Sequence, residues 1–222
     1  MDELVAFLTP RLETAVISFA WLAAMFYPLE WALPARPQRR LREGLWTDVG
    51  CFFGQHLLFT AAAVAAIGWL VGQVPRGDSW NALRAAFAEL PLYVQIPIVV
   101  IAGDFIVYWG HRLQHAWAPL WRIHAVHHTA ERLDWLAAHR EHPLDGLWTQ
   151  ALMNLPALAF GLPLESLMGL IAFRSLWAIF VHSNVRLPLG PLRMLLGAPE
   201  LHHWHHAKDR HVGNYANLAP WI

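Results

Sequence analysis

The chain has 222 residues, 56% of them hydrophobic and only 14% charged, with sixteen Lys plus Arg balancing sixteen Asp plus Glu. No basic excess argues for a nucleic-acid partner, and that class is set aside. Thirteen Trp, fifteen Pro and a positive mean hydropathy depart from soluble composition, and long apolar runs point to an all-α integral membrane protein.

The run from Leu4 to Ala32 is interrupted by Thr9-Pro10, Arg11 and Glu13 near its start and Pro28 near its end, leaving Leu12 to Tyr27 almost unbroken. It predicts a first membrane helix. Without the basic n-region and small-residue cleavage site of a signal peptide, it is expected to stay in the mature protein. PARPQRRLREG, Pro34 to Gly44, carries Arg36, Arg39, Arg40 and Arg42 and reads as a loop. Trp46 to Val71 gives a second span, with Asp48, Gln55 and His56 in its first half. VPRGDSWN breaks the pattern, and an amphipathic piece from Ala82 to Leu90 leads to Pro91.

A third span runs from Leu92 to about Gly110, roughly 28 Å of helix at 1.5 Å per residue, and leads directly into HRLQH. Leu147 to Val185 is too long for one span and is cut by Gly161-Leu162-Pro163, so it reads as a hairpin whose ends return to one side. About four transmembrane helices result. Residues 1–91 form an N-terminal membrane anchor and 92–222 a histidine-bearing domain. The Arg36 to Arg42 loop is the most basic short loop and is assigned to the cytoplasm. Counting spans from it brings the ends of the third span and of the hairpin to that same face. Richness in alanine, arginine and tryptophan favours a bacterial inner membrane over the endoplasmic reticulum.

Thirteen of the fourteen histidines lie between His111 and His211. His111 and His115 are four apart and share a helix face. His124, His127 and His128 follow, and their i, i+3, i+4 spacing is expected to aim all three in one direction. His202, His205 and His206 repeat H-x-x-H-H 78 residues later. A single histidine pair on a helix is usually accidental, but three such boxes on one membrane face predict a metal site, and eight imidazoles suit two ions. His182, closing the hairpin, is a candidate ninth ligand. His203, about 100° around the helix from His202, is expected in a supporting or surface position. His142, followed by Pro143, and His139 are expected to shape the site or bond a neighbour, and His211 is not expected to be a ligand. His56 reads as a hydrogen-bonded interior histidine. Asp104, seven residues before His111, is expected to orient a ligand as acceptor.

The lone cysteine, Cys51, excludes an internal disulfide and a cysteine-based zinc site. Imidazoles suit zinc, copper and iron alike. The general base of an H-E-x-x-H hydrolase is absent, whereas a redox metal pair at the lipid boundary could activate O2 against an unreactive C–H bond.

HRLQH, LWRIHAVHHT, HREHPLD and ELHHWHHAKD closely resemble the fatty acid hydroxylase superfamily, the sterol desaturase-like membrane di-iron oxygenases, over about Ile98 to Leu218. Asp104 matches the family's acid seven residues before the first box, and HPLD its His-Pro-x-Asp/Glu element. The resemblance implies a four-helix membrane anchor, a cytosolic histidine-rich cap holding two iron ions, O2 as co-substrate and a lipid substrate. It also implies electrons from NAD(P)H through a separate carrier of ferredoxin or cytochrome b5 type. The chain stops at Ile222, before the family's Asp-x-x-Phe-Gly-Thr element, and has Asn214-Tyr215-Ala216 in place of Asn-Tyr-Gly, so a shortened member is expected. Hydroxylation and desaturation both fit. The alternatives are a membrane protein that binds or transports zinc without redox chemistry, and an inactive relative.

Overall fold

The computed structural model describes residues 2–59, 65–66, 68–69, 72–73, 77–207, 213–215 and 217–218. Among these the regular structure is helical. Helix α1 spans Asp2–Ala32, α2 Leu45–Gly54 with a π-turn over Gln55–Phe59, and α3 Asp78–Ala88. Helix α4 spans Leu92–Ala116, α5 Ala118–His124, α6 Pro143–Phe160, α7 Leu164–His182, α8 Arg193–Leu196 and α9 Pro199–His205. Among the described residues three helices are long and apolar enough to cross a membrane: Val5–Ala32, Leu92–Ala116 and Glu165–His182. Positions 60 to 71 of the expected second span lie largely outside the described residues. Gly161, at φ 75°, makes the left-handed turn between α6 and α7 that the Gly-Leu-Pro break predicts.

Helix α4 shows how composition becomes position. Ile98, Ile101, Phe105, Trp109 and Leu113 recur every three or four residues and are exposed, a stripe suited to lipid tails. Val99, Gly103, Val107, Gly110 and Gln114 recur on the opposite stripe and are buried, and that stripe ends at His115. Two glycines on it let neighbours approach closely. A Cβ at Gly103 would lie 2.6 Å from both the Arg174 guanidinium and the Met153 carbonyl, and one at Gly110 would overlap Leu152.

Two apolar clusters flank the histidines. Phe87, Val99, Ala157, Leu158, Leu162, Leu167 and Leu170 join α3, α4, α6 and α7. Leu22, Phe26, Phe52, Trp135, Leu136 and Ile179 join α1, α2, α7 and the 3-10 turn Trp135–His139. Arg174 is 1% exposed inside α7 and donates to the carbonyls of Met153 and Val100, the latter at 2.8 Å, while lying 3.8 Å from Asp104. A buried cation in a span needs such partners.

The N-terminal third is hydrogen-bonded to the histidine half. Glu30 accepts from the backbone N–H of Trp135 at 2.7 Å and of Asn184 at 2.9 Å. Leu33 to Arg36 pairs with Asn184 to Arg186 through an isolated bridge. Arg42, in the basic loop of the sequence, and Arg140 are both buried: Asp48 joins Arg42 and Arg140, each at 2.5 Å, and Arg42 also pairs with Asp134.

Candidate metal centre

The nine histidines expected as ligands converge and divide. His111, His115, His124, His128 and His205 form one set, and His127, His182, His202 and His206 the other, with the nitrogens of each set within 4.8 Å of one another. The first box, His111 and His115, stays in one set, whereas the second and third boxes straddle the division. In 124–128 and in 202–206 the i, i+4 pair serves one set and the middle histidine the other, so the three do not aim in one direction. The reason is angular: four residues of helix return to within about 40° of the start, whereas adjacent residues differ by about 100°. Helix α5 ends at His124, and His127 sits on a 3-10 turn with His128.

Hydrogen bonds fix the tautomers. A ring nitrogen that faces a carbonyl or carboxylate carries the proton, which leaves the other nitrogen a bare lone pair. His111 donates from Nδ1 to the Tyr215 carbonyl at 2.9 Å. His124 donates from Nδ1 to Asp145, at 3.1 and 3.0 Å from its two oxygens. Their Nε2 atoms then stand 3.0 Å apart with no proton between them. The other set repeats the arrangement. His127 donates to the Arg140 carbonyl at 3.1 Å and His182 to that of Ala178 at 2.6 Å, with Nε2 atoms 2.9 Å apart. His202 Nε2 lies 2.8 Å from His182 Nε2 and 3.1 Å from His206 Nε2. Opposed lone pairs repel unless a cation lies between them. Ligand nitrogens 2.0–2.1 Å from one ion at tetrahedral or octahedral angles are about 2.9–3.4 Å apart, so the spacing fits a shared metal.

Burial favours the neutral, ligand form. It lowers His127 and His128, and holds His202, His205 and His206 well below the ordinary imidazole value. Burial also raises the Asp145 carboxyl, against the pull of nearby His127 and of the Gln114 amide that donates to it. Asp145 is the residue that reading the sequence left out of the site. Its signal was present: His142 caps α6 by accepting from Leu144 N–H at 3.2 Å, Pro143 occupies the first turn, and the HPLD acid then falls beneath His124.

The supporting residues fall near the cluster. His203 turns Nε2 to the carbonyls of His182 and Ser183, at 3.2 and 3.1 Å, and so braces the end of α7. Asp104 accepts from Leu218 N–H at 3.0 Å, on the segment whose Tyr215 carbonyl receives His111. His142 belongs to neither set and acts as the cap just described. His139 pairs with Gln55 at 3.0 Å, and His56 lies against Phe52, with Nδ1 3.0 Å from that residue's carbonyl. His211 lies outside the described residues.

The family model described as fatty acid hydroxylase matches residues 96–222. The chain is 34% identical over 136 residues to an ornithine lipid hydroxylase, OlsE, of Rhizobium tropici, covering 60% of this chain and 41% of that protein. It is 32% identical over 117 residues to the alkylglycerol monooxygenase of Homo sapiens, covering 52% and 26%. A Delta(7)-sterol 5(6)-desaturase of Gibberella zeae is 27% identical over 139 residues, covering 59% and 40%. The match thus spans less than half the length of each relative. No solved structure matches.

Proposed function

The chain belongs to the fatty acid hydroxylase family, and on that premise we propose that it is a membrane-bound di-iron oxygenase that hydroxylates or desaturates a lipid with O2 and external electrons. The observation that carries this reading is the pair of histidine sets with their opposed Nε2 lone pairs. His111, His115, His124, His128 and His205 would hold one iron, and His127, His182, His202 and His206 the other. Bound there, the irons supply the O2-dependent oxidation of an unreactive C–H bond.

The protein's own part is to orient and enclose. Asp145 and the carbonyls of Tyr215, Arg140 and Ala178 each keep one imidazole's proton on Nδ1, so that Nε2 is available. Asp145, held also by Gln114, makes His124 the more basic ligand. His205, fully buried, closes the five-histidine set against water. A lipid substrate is supported by the apolar outer stripe of α4, which runs down to the histidines. We assign the histidine face to the cytoplasm, where a separate electron-transfer protein of ferredoxin or cytochrome b5 type would deliver electrons from NAD(P)H. Residues 1–91 serve as anchor and buttress to the domain at 92–222.

The test is metal analysis of the purified chain with O2 consumption under a supplied reductant, beside lipid profiling of an expressing host. About two irons per chain and an oxidised lipid are expected, with loss of oxidation in His127→Ala or His205→Ala but not in His56→Ala. Zinc that persists after anaerobic iron reconstitution, with no O2 uptake, would sink the reading.

A further inference from the structure

Beside the four-histidine set lies a cavity of about 80 Å³, room for a small polar group but not for an acyl chain. Its walls come from segments far apart in sequence: Arg36 and Gln38 just beyond α1, Glu131 and Arg132 before the Trp135 turn, Asn184 just beyond α7, and His206. Two candidate spans, Val5–Ala32 and Glu165–His182, end within a few residues of these walls, the place where a spanning helix meets lipid headgroups.

The walls are fixed by hydrogen bonds that leave the cations free. Buried Asn184 accepts from Arg36 N–H at 2.9 Å and donates to the Arg36 carbonyl at 2.8 Å, and Gln38 donates to the Leu133 carbonyl at 3.1 Å. These bonds hold the Arg36 backbone while its guanidinium makes no ion pair among the described residues, and the same is true of Arg132. Two guanidiniums face one carboxylate, Glu131, so the cavity is net cationic. Arginine forks match the oxygen geometry of phosphate and carboxylate.

We propose that this cavity binds the anionic group, phosphate or carboxylate, of the lipid substrate's headgroup. Because His206 is both a cavity wall and a member of the four-histidine set, a lipid anchored there presents a carbon close to its headgroup, not the far end of its chain. The inference rests on the lipid-oxidising reading above and sharpens its substrate class.

The experiment measures equilibrium binding to the full iron-loaded chain in detergent, using three probes: dihexanoyl phosphatidic acid, dihexanoylglycerol and inorganic phosphate. Phosphatidate is expected to bind about tenfold more tightly than the neutral lipid, as one or two charge-assisted hydrogen bonds at a partly exposed site allow. Arg36→Gln and Arg132→Gln should each weaken phosphatidate binding about fivefold and leave dihexanoylglycerol and iron content unchanged, with lysine at either position partly restoring it. Equal affinity for the two lipids, or a double Gln variant that binds phosphatidate as the parent does, would overturn the proposal. Inorganic phosphate binding as tightly as phosphatidate would overturn its assignment to a lipid. Failure of the oxygenase reading would show separately, as missing iron or absent O2 uptake with binding unaltered.

Discussion

Asp145→Asn isolates the role of one carboxylate, because the two side chains have nearly the same shape and no cavity opens. Asp145 is 2% exposed and receives His124 Nδ1–H on both oxygens. Asparagine removes the charge, turns one acceptor oxygen into a donor, and sets that donor against either His124 or Gln114. His124 then loses the partner that holds its proton on Nδ1 and keeps Nε2 basic. Loss of such a supporting carboxylate lowers metal affinity by roughly 10- to 100-fold, about 1.4–2.7 kcal/mol. The assay is anaerobic competition between the iron-loaded protein and a chelator, followed by counting retained iron. One iron should leave at chelator concentrations that the parent resists, while the four-histidine set, whose His127 donates to the Arg140 carbonyl and not to Asp145, keeps its own. A chelation curve superimposable on the parent's, or equal loss from both sets, would refute the reasoning.

Acidification should destabilise the metal-free protein. Burial lowers His127, His202, His205 and His206 below the ordinary 6.5, so below that pH the unfolded chain takes up protons that the folded one refuses. Stability is fully present above about pH 6.5 and falls as pH drops, by about 1.4 kcal/mol per pH unit for each such histidine; a melting temperature equal at pH 7.5 and 5.5 would contradict this. Arg174→Met should cost about 3–5 kcal/mol, because it strips Asp104 of its cation while both are buried. Thermal melts in detergent read the loss, and an unchanged melt would show that the pair is dispensable. Gly103→Ala should cost about 1–3 kcal/mol by forcing apart α4, Arg174 and Met153, and the smaller residue at 153 in a Gly103→Ala/Met153→Ala double variant should not relieve it, since the clash is with a backbone carbonyl.

The histidines were legible in the sequence because ligand spacing follows helical periodicity, and the three boxes and His182 all reach the cluster. The partition was not. On α9 the split of His205 from His202 and His206 follows from helical angles, but His127 and His128 lie beyond the end of α5 at His124, on a 3-10 turn, and which set each joins there is a tertiary outcome that α-helical spacing does not encode. Arg42 and Arg140 were opaque for a related reason. An arginine in a polar loop looks the same as sequence whether it meets water or Asp48. Arg174 escaped notice inside an apolar run, although a charge within a span is itself a signal that a buried acceptor must exist.

The Asp48 network shows why the first third of the chain matters to the site. Replacing a buried ion network with apolar groups is often neutral for stability, so stability alone is a weak account of it. Its geometry offers a better one. Arg140 is held by Asp48 at 2.5 Å, by the Gly44 carbonyl at 2.9 Å and by the Thr129 carbonyl at 3.2 Å, which leaves its own carbonyl directed at His127 Nδ1. Asp48 in turn is fixed by Arg42, and Arg42 by Asp134 at the head of the Trp135 turn. Residues from the loop and α2 thus set the direction of a carbonyl that orients one imidazole of the four-histidine set. A chain of apolar contacts in the same place would fill the volume but would leave that carbonyl free to rotate. Arg140→Leu with Asp48→Leu therefore separates the two accounts: a variant that melts like the parent yet releases iron from the four-histidine set first would show that the network positions a ligand, and one that keeps both irons would show that it only packs.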